Sequence, residues 1–415
     1  MTTSETKFKE TEIGSIPEGW EVVNIDEALY IIDGDRGTNY PNGSDFSGND
    51  YCLFLNAKNV SGSSFDFSNC QFISKIKDSE LRKGKMQTGD FVLTTRGTVG
   101  NIAFYDDSVP FENMRINSGM VILRNKKVFD LKFLFQLMKS KFIENQISDL
   151  TTGSAQPQLP IKDLKYLKLI KPSQTEQKQI AGILSSLDDK IELNRKINAN
   201  LEKLAMALFK KWFVDIGDEL PEGWKIQKIG NVVAVKGGST PDTTKPEYWH
   251  GGSIAWVTPK DLSNLNSVAL LDTEKKITKS GLDKISSGLL PSGTILLSSR
   301  APIGYVAVTN IPVAINQGFI AINADSTIQG YILFWVKNNI DLIESRANGS
   351  TFLEINKTNF RDINILVPDV KTLKKFEGVA DSVVETIIQN ECEIKNLSFI
   401  RNSLLPRLMS GKIRV

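Results

Sequence analysis

Apolar residues recur every three or four positions through residues 175–213, TEQKQIAGILSSLDDKIELNRKINANLEKLAMALFKKWF. Steps of four and three from Ile180 reach Leu184, Leu187, Ile191, Asn194, Asn198, Leu201, Ala205, Leu208 and Trp212. This is a seam of mean period 3.5, with charged residues on the other faces and no proline, and it predicts one long helix of coiled-coil type. At 1.5 Å per residue such a helix is about 58 Å long. A stripe this narrow cannot bury itself, so the helix needs a partner.

The partner lies in the same chain. An offset of 196 carries the seam to Phe376, Ala380, Val383, Ile387, Asn390, Ile394, Leu397, Arg401, Leu404 and Leu408, apolar except at Asn390 and Arg401. Asn194 is matched by Asn390, and an Asn on an apolar seam costs stability while fixing register. The pattern predicts an intramolecular helix pair. Packing of each helix against its own domain is the alternative, but a globular helix usually buries a broader face.

The chain also carries an internal repeat. Ile16-Pro-Glu-Gly-Trp20 returns as Leu220-Pro-Glu-Gly-Trp224, and Thr95-Arg-Gly-Thr-Val-Gly100 as Ser299-Arg-Ala-Pro-Ile-Gly304, both at an offset of 204. Further on, Gly153-Ser154 matches Gly349-Ser350 and Pro172 matches Pro368, at 196. Two copies of one unit therefore fill the chain, each ending in its long helix. The boundaries read as a first domain over 1–172, a long helix over 173–215, a second domain over 216–369 and a closing helix over 370–415.

Within a copy the elements are mixed. Strands are predicted at Phe91–Thr95, Ile102–Tyr105, Met120–Leu123 and Leu167–Ile170, with a helix through LKFLFQLMKSKFIENQI capped by Asp130. The second copy repeats the order with strands at 294–298, 305–309, 318–322 and 363–367 and a helix over 328–346. The fold class is α+β: two similar mixed α/β domains joined by two long antiparallel helices with an internal pseudo-two-fold. The copies diverge over 33–85 and 237–288, and unlike loops on a shared frame suit a reader of two different targets.

Composition narrows the function. At 415 residues the chain is long enough for two or three domains. With 50 Lys+Arg against 48 Asp+Glu, the net charge of +2 neither demands nor excludes nucleic acid. The N-terminus MTTSETKFKETEIGS lacks an apolar signal core, no apolar run approaches a membrane span, and Cys52, Cys70 and Cys392 have no metal or disulfide spacing. A cytoplasmic protein without membrane partners is expected.

Catalytic chemistry is sparse. His250 is the single histidine, and no phosphate loop or dinucleotide turn occurs. Pro241-Asp242 and Glu274-Lys275-Lys276 formally match a metal-nuclease pattern, but it is short and degenerate, and no predicted strand holds the first carboxylate. Recognition chemistry is richer. Arg96 and Arg300 stand at equivalent strand-to-turn positions beside glycines, suited either to a phosphate or guanine edge or to fixing the turn itself. Small and amide residues gather at Ser154, Gln156, Ser350 and Thr351. The divergent loops offer Arg36, Asn39, Tyr40, Asn56, Lys58 and Asn59 in the first copy. In the second they offer Thr240, Lys245, Tyr248, Trp249, Lys260 and Asp261.

Taken together, IPEGW at 16–20, LPEGW at 220–224, GGSTPDTTKPEYWHGGSIAWVTPKDL at 237–262, SSRAPIG at 298–304, TEQKQIAGILSSLDDKIELNRKINANLEKLA at 175–205 and LLPRLMSGKIRV at 404–415 carry a resemblance. The chain resembles the specificity (S) subunits of type I DNA restriction-modification systems over nearly its whole length. It departs at DGDRGTNYPNGSD, where a GGSTP-type stretch would stand, and at Leu373–Phe376 in the second helix.

The resemblance implies a non-catalytic subunit whose two target-recognition domains each read half of a bipartite, asymmetric site in double-stranded DNA. It implies that the long helices set the gap and bind two methyltransferase (M) subunits, with motor-nuclease (R) subunits joining. S-adenosylmethionine, ATP and Mg2+ would belong to those partners, and the methylated base would be adenine. A specificity subunit serving a fused methyltransferase-nuclease, or a coiled-coil adaptor that binds no DNA, are the other readings.

Overall fold

The computed structural model describes residues 7–217, 219–349 and 353–415. It divides into two compact units, one of residues 1–189 with 398–415 and one of residues 190–397. The candidates Ser350 and Thr351 lie outside the described residues.

In the first unit the central sheet is antiparallel, in the order Ile102–Phe104, Phe91–Thr94, Met120–Asn125, Leu29–Asp33. A second sheet places Met114–Ile116 parallel to Cys52–Leu55, with Phe72–Ile73 antiparallel on the other side. A short ribbon pairs Glu21–Asn24 with Lys168–Lys171. Phe91–Thr94 is wholly buried and Met120–Asn125 largely so, because both faces of the central sheet are covered: Phe91, Leu93, Val121 and Leu123 enter one core, Val92 and Ile122 the other.

The second unit repeats this sheet order with one added strand. Ala234–Gly237, Phe319–Asn323, Ile295–Ser299 and Ile303–Thr309 form its central sheet, extended at the far edge by Ala269–Leu270 running parallel. Lys275–Ile277, Ile254–Val257 and Val313–Ile315 form the second sheet, again with one parallel pair. Lys225–Lys228 pairs with Asn364–Val367.

The long helices span Gln174–Phe213 and Val370–Met409. Within the second unit they run antiparallel: Lys190 and Asn194 meet Glu393, Asn198 meets Asn390 and Glu391, and Trp212 lies against Phe376. Within the first unit Asp188 of the first helix meets Arg401 near the end of the second, and Glu176 meets Arg414 in the segment that follows it. Ile180, Leu184, Ile191, Val383, Ile387 and Ile394 are buried. The other seam positions, Leu187, Leu201, Leu208, Leu397 and Leu404, are partly so. Antiparallel pairing sets Asn390 against Asn198 rather than its repeat counterpart Asn194, whose amide donates to Glu393. The second helix stops at Met409, short of 415, and Gly411 follows at φ +68°.

Both predicted domain helices are broken where their apolar period runs on. The first becomes Leu131–Met138 and Lys141–Leu150, because Ser140 Oγ donates to Leu137 O at 2.6 Å and accepts from Ile143 N at 3.4 Å, starting a new helix. The second becomes Gln329–Asn338 and Ile340–Ser345, with Asn339 Nδ2 donating back to Trp335 O.

The repeated Pro-Glu-Gly-Trp segments have one job. Trp20 Nε1 donates to Glu176 and Trp224 Nε1 to Asp369, fastening each unit to the opening of a long helix. Trp224 packs on Phe213, and Trp20 lies under the Arg414 guanidinium. A Cβ on Gly411 would fall 2.2 Å from Pro17, so this close approach requires glycine. The closing residues of the chain thus complete the unit that its opening residues begin.

Candidate functional site

In each unit a glycine leaves the edge strand of the central sheet and presses onto a turn that enters the next strand. A Cβ on Gly34 would lie 2.2 Å from Asn117 O, and one on Gly238 would lie 2.0 Å from Ile315 O. The turns are Asn117-Ser118-Gly119 and Asn316-Gln317-Gly318. In each, the Asn side chain accepts from the Gly amide, at 2.9 Å and 2.8 Å, closing the turn on itself.

The residue after the glycine ties this loop to a neighbouring segment. Asp35 accepts from the amides of Gly37, Arg82 and Lys83. These bonds, that from Gly37 foremost, hold its carboxyl below the usual range against the opposing effect of burial. Ser239 plays the same part neutrally, its hydroxyl donating to Lys284 O and accepting from Ser286 N.

Around this frame the candidates converge in part. Arg36 Nη2 donates to Ser118 O and to Asp33, both at 3.3 Å. Arg96 N donates to Gly119 O, and a Cβ on neighbouring Gly97 would touch Ala57, beside Asn56 and Lys58. Arg36, Asn56, Lys58 and Arg96 therefore share one end of the first unit's sheets. Arg96 and Lys58 are exposed, and among the described residues their charged groups have no carboxylate partner. Ser154 and Gln156 lie on an exposed loop bridged to the Arg96 strand end through Gln158. In the second unit Thr240 donates to Gln317, Pro259 packs on Gly318, and Ser299 N bonds to Gly318 O.

The other candidates are spoken for. Asn59 is 2 % exposed; its amide donates to Asp66 O and Asn69 O while its oxygen accepts from Asn56 N, leaving no edge for a ligand. Asn56 caps the same turn. Tyr40 stands edge-on to Phe54 in a small core, and Asn39 donates to Glu80 O. Tyr248 is buried with Lys245 over its ring, and Trp249 packs edge-on to Trp256 while donating to Asp242 O. Asp261 caps the turn at Thr258. Lys260 pairs with Glu274 at 2.9 Å, which raises its pKa, and Arg300 faces Glu354 at 3.7 Å rather than the carbonyls of its turn. With Glu274 on Lys260 and Lys276 on Asp272, the nuclease-like pattern is dispersed into ion pairs. Among the described residues no cluster of His, Cys, Asp or Glu could hold a metal.

The turns at Asn117 and Asn316 are absent from the residue-based candidates. Their signal was present in the sequence as Ile-Asn-x-Gly, written once in each copy with Ser in one and Gln in the other.

Residues 17–203 and 221–393 each match the model of one family, the type I restriction modification DNA specificity domain. The chain belongs to that family. It is 27% identical to the type I restriction enzyme MjaIX specificity subunit of Methanocaldococcus jannaschii, covering 99% of this chain and 97% of that one. To the HindI specificity subunit of Haemophilus influenzae it is 25% identical, covering 92% and 98%. The fold is that of the type I S subunit from M. genitalium, whose crystal structure aligns with a TM-score of 0.61 at 18% identity over 94% and 96% of the two chains. The two matches of this specificity family fall one on each copy of the repeat. Its members supply recognition, not catalysis. No helix among the described residues is long and apolar enough to cross a membrane.

Proposed function

We propose that this chain is the DNA-reading component of a type I restriction-modification complex. The first unit reads one half of a bipartite, asymmetric duplex site and the second unit reads the other. Two methyltransferase subunits dock along the paired helices, motor-nuclease subunits join them, and the complex works in the cytoplasm. S-adenosylmethionine, ATP and Mg2+ are held by those partners.

One observation carries this reading: the two units share the order of their central and smaller sheets, yet the same loop-and-turn frame presents Arg36 beside Ser118 in one and Thr240 beside Gln317 in the other. A shared frame with different side chains is what two unlike half-sites require. Near-neutral charge is compatible with it, since exposed cations such as Lys58 and Arg96 stand at the reading end.

Mapping methylated adenines genome-wide tests the reading, in cells that carry the methyltransferase subunits with and without this chain. Methylation at one bipartite sequence, present only with the chain, is the expected result. Methylation that is independent of the chain overturns it.

A further inference from the structure

Resting on that reading, we infer that Gln317 is a specificity-determining residue, contacting a base in the half-site of the second unit.

The backbone of its turn is fixed from every side. Asn316 N donates to Val257 O, Gly318 N to Asn316 Oδ1, Ser299 N to Gly318 O, and Ser239 N to Ile315 O. Gly238 packs so tightly that no side chain fits between loop and turn. What this frame leaves exposed is the Gln317 side chain.

The amide is also oriented. Thr240 donates its hydroxyl to Gln317 Oε1, which turns Nε2 away from the loop as a hydrogen-bond donor. The second lone pair of Oε1 remains available. A donor and an acceptor side by side on one rigid amide match adenine N7 and N6 in the major groove. Thr240 is then a positioning residue and Gln317 the reader.

The first unit has the same frame with the roles exchanged. Ser118 occupies the turn and has too short a side chain to reach far, while Arg36, at the position of Thr240, carries the long side chain and is steadied by Ser118 O. A guanidinium there suits the O6 and N7 edge of guanine. Each unit thus presents one long, braced side chain from one pair of positions. The identity of the base changes with which member of the pair is long.

The test uses the full chain assembled with its methyltransferase subunits, with methylated sites mapped for wild type, Gln317→Ala and Gln317→Glu. Gln317→Ala is expected to relax one position of one half-site, lowering discrimination there about tenfold or more. Gln317→Glu replaces the donor by an acceptor and is expected to shift that position toward cytosine. Unchanged melting of both variants separates reading from folding. If both variants methylate the wild-type sequence without change at any position, the assignment of Gln317 is overturned while the two-reader account stands. If the wild-type complex itself shows no bipartite sequence, both fall.

Discussion

Asn390 Nδ2 donates to Asn198 Oδ1 at 2.8 Å, and Asn198 Nδ2 donates in turn to Glu391 at 2.9 Å. Asn198 is 1 % exposed, so this amide pair sits inside the seam that the apolar period lays down. A layer of this kind rewards one register, because a slipped helix would bury the same amides without partners.

Asn390→Leu should therefore cost about 1–3 kcal/mol, the penalty of stranding the buried Asn198 oxygen. Replacing both residues by Leu should recover most of the loss, since neither partner is then left unpaired. Chemical denaturation of wild type, single and double variants measures this. Equal destabilisation by the single and double variants would show that the pairing is not the cause.

Gly34→Ala and Gly238→Ala place a Cβ 2.2 Å and 2.0 Å from backbone oxygen, so the loop must move off its turn. Each should cost about 1–3 kcal/mol by overpacking. Each should also blur one half-site of the methylated sequence and leave the other intact. Methylation mapping of the two variants checks it, and a single variant that disturbs both halves would count against independent reading.

The outer face of the first unit's smaller sheet holds a buried charge network: Arg115 stands beside Phe54, where the second unit has Ala314 beside Trp256. Arg115 donates to Asp78 at 2.6 Å and to the carbonyls of Asp78, Leu81 and Lys83, and Lys85 pairs with the same carboxylate. Burial pushes the Asp78 carboxyl up, but the Lys85 and Arg115 bonds outweigh it and hold it below its ordinary value. Arg115→Met should cost about 3–5 kcal/mol, as expected for breaking a buried pair. A loss under 1 kcal/mol in a denaturation curve, the size of an exposed pair, would show that the network is solvated.

Glu377 accepts from the amides of Gly330 and Tyr331, yet burial outweighs these bonds and keeps its pKa above the ordinary 4.5, with Asp381 adding to the rise. A carboxyl with a raised folded pKa contributes stability that is full below its unfolded value and is lost as pH rises through the folded one. Wild type should therefore lose stability relative to Glu377→Gln as pH is raised above 4.5. Melting temperatures of both across that range decide it. A difference that does not change with pH would mean the group is solvated in the fold.

The long helices were legible because a seam of period 3.5 is a local pattern that nothing else in the chain imitates. The duplicated frame was legible because the Pro-Glu-Gly-Trp and Arg-containing turns recur at fixed offsets. The breaks at Ser140 and Asn339 were not, since apolar spacing continues across both and only side-chain bonds to nearby backbone stop the helix. Nor did loop composition separate Asn59, consumed by its own turn, from exposed Lys58 one residue earlier. The Arg115 network was hidden for a related reason: in sequence it is a lone charge in a strand, and its partners lie more than thirty residues away.

The proposed function makes the paired helices a ruler between two readers. Inserting one heptad into each long helix at the layer of Asn198 and Asn390 keeps the seam in phase and adds about 10 Å of helix. Methylation mapping of the complex with this variant should show the same two half-sites with a longer unread gap between them. An unchanged gap, or a half-site with altered bases, would contradict it.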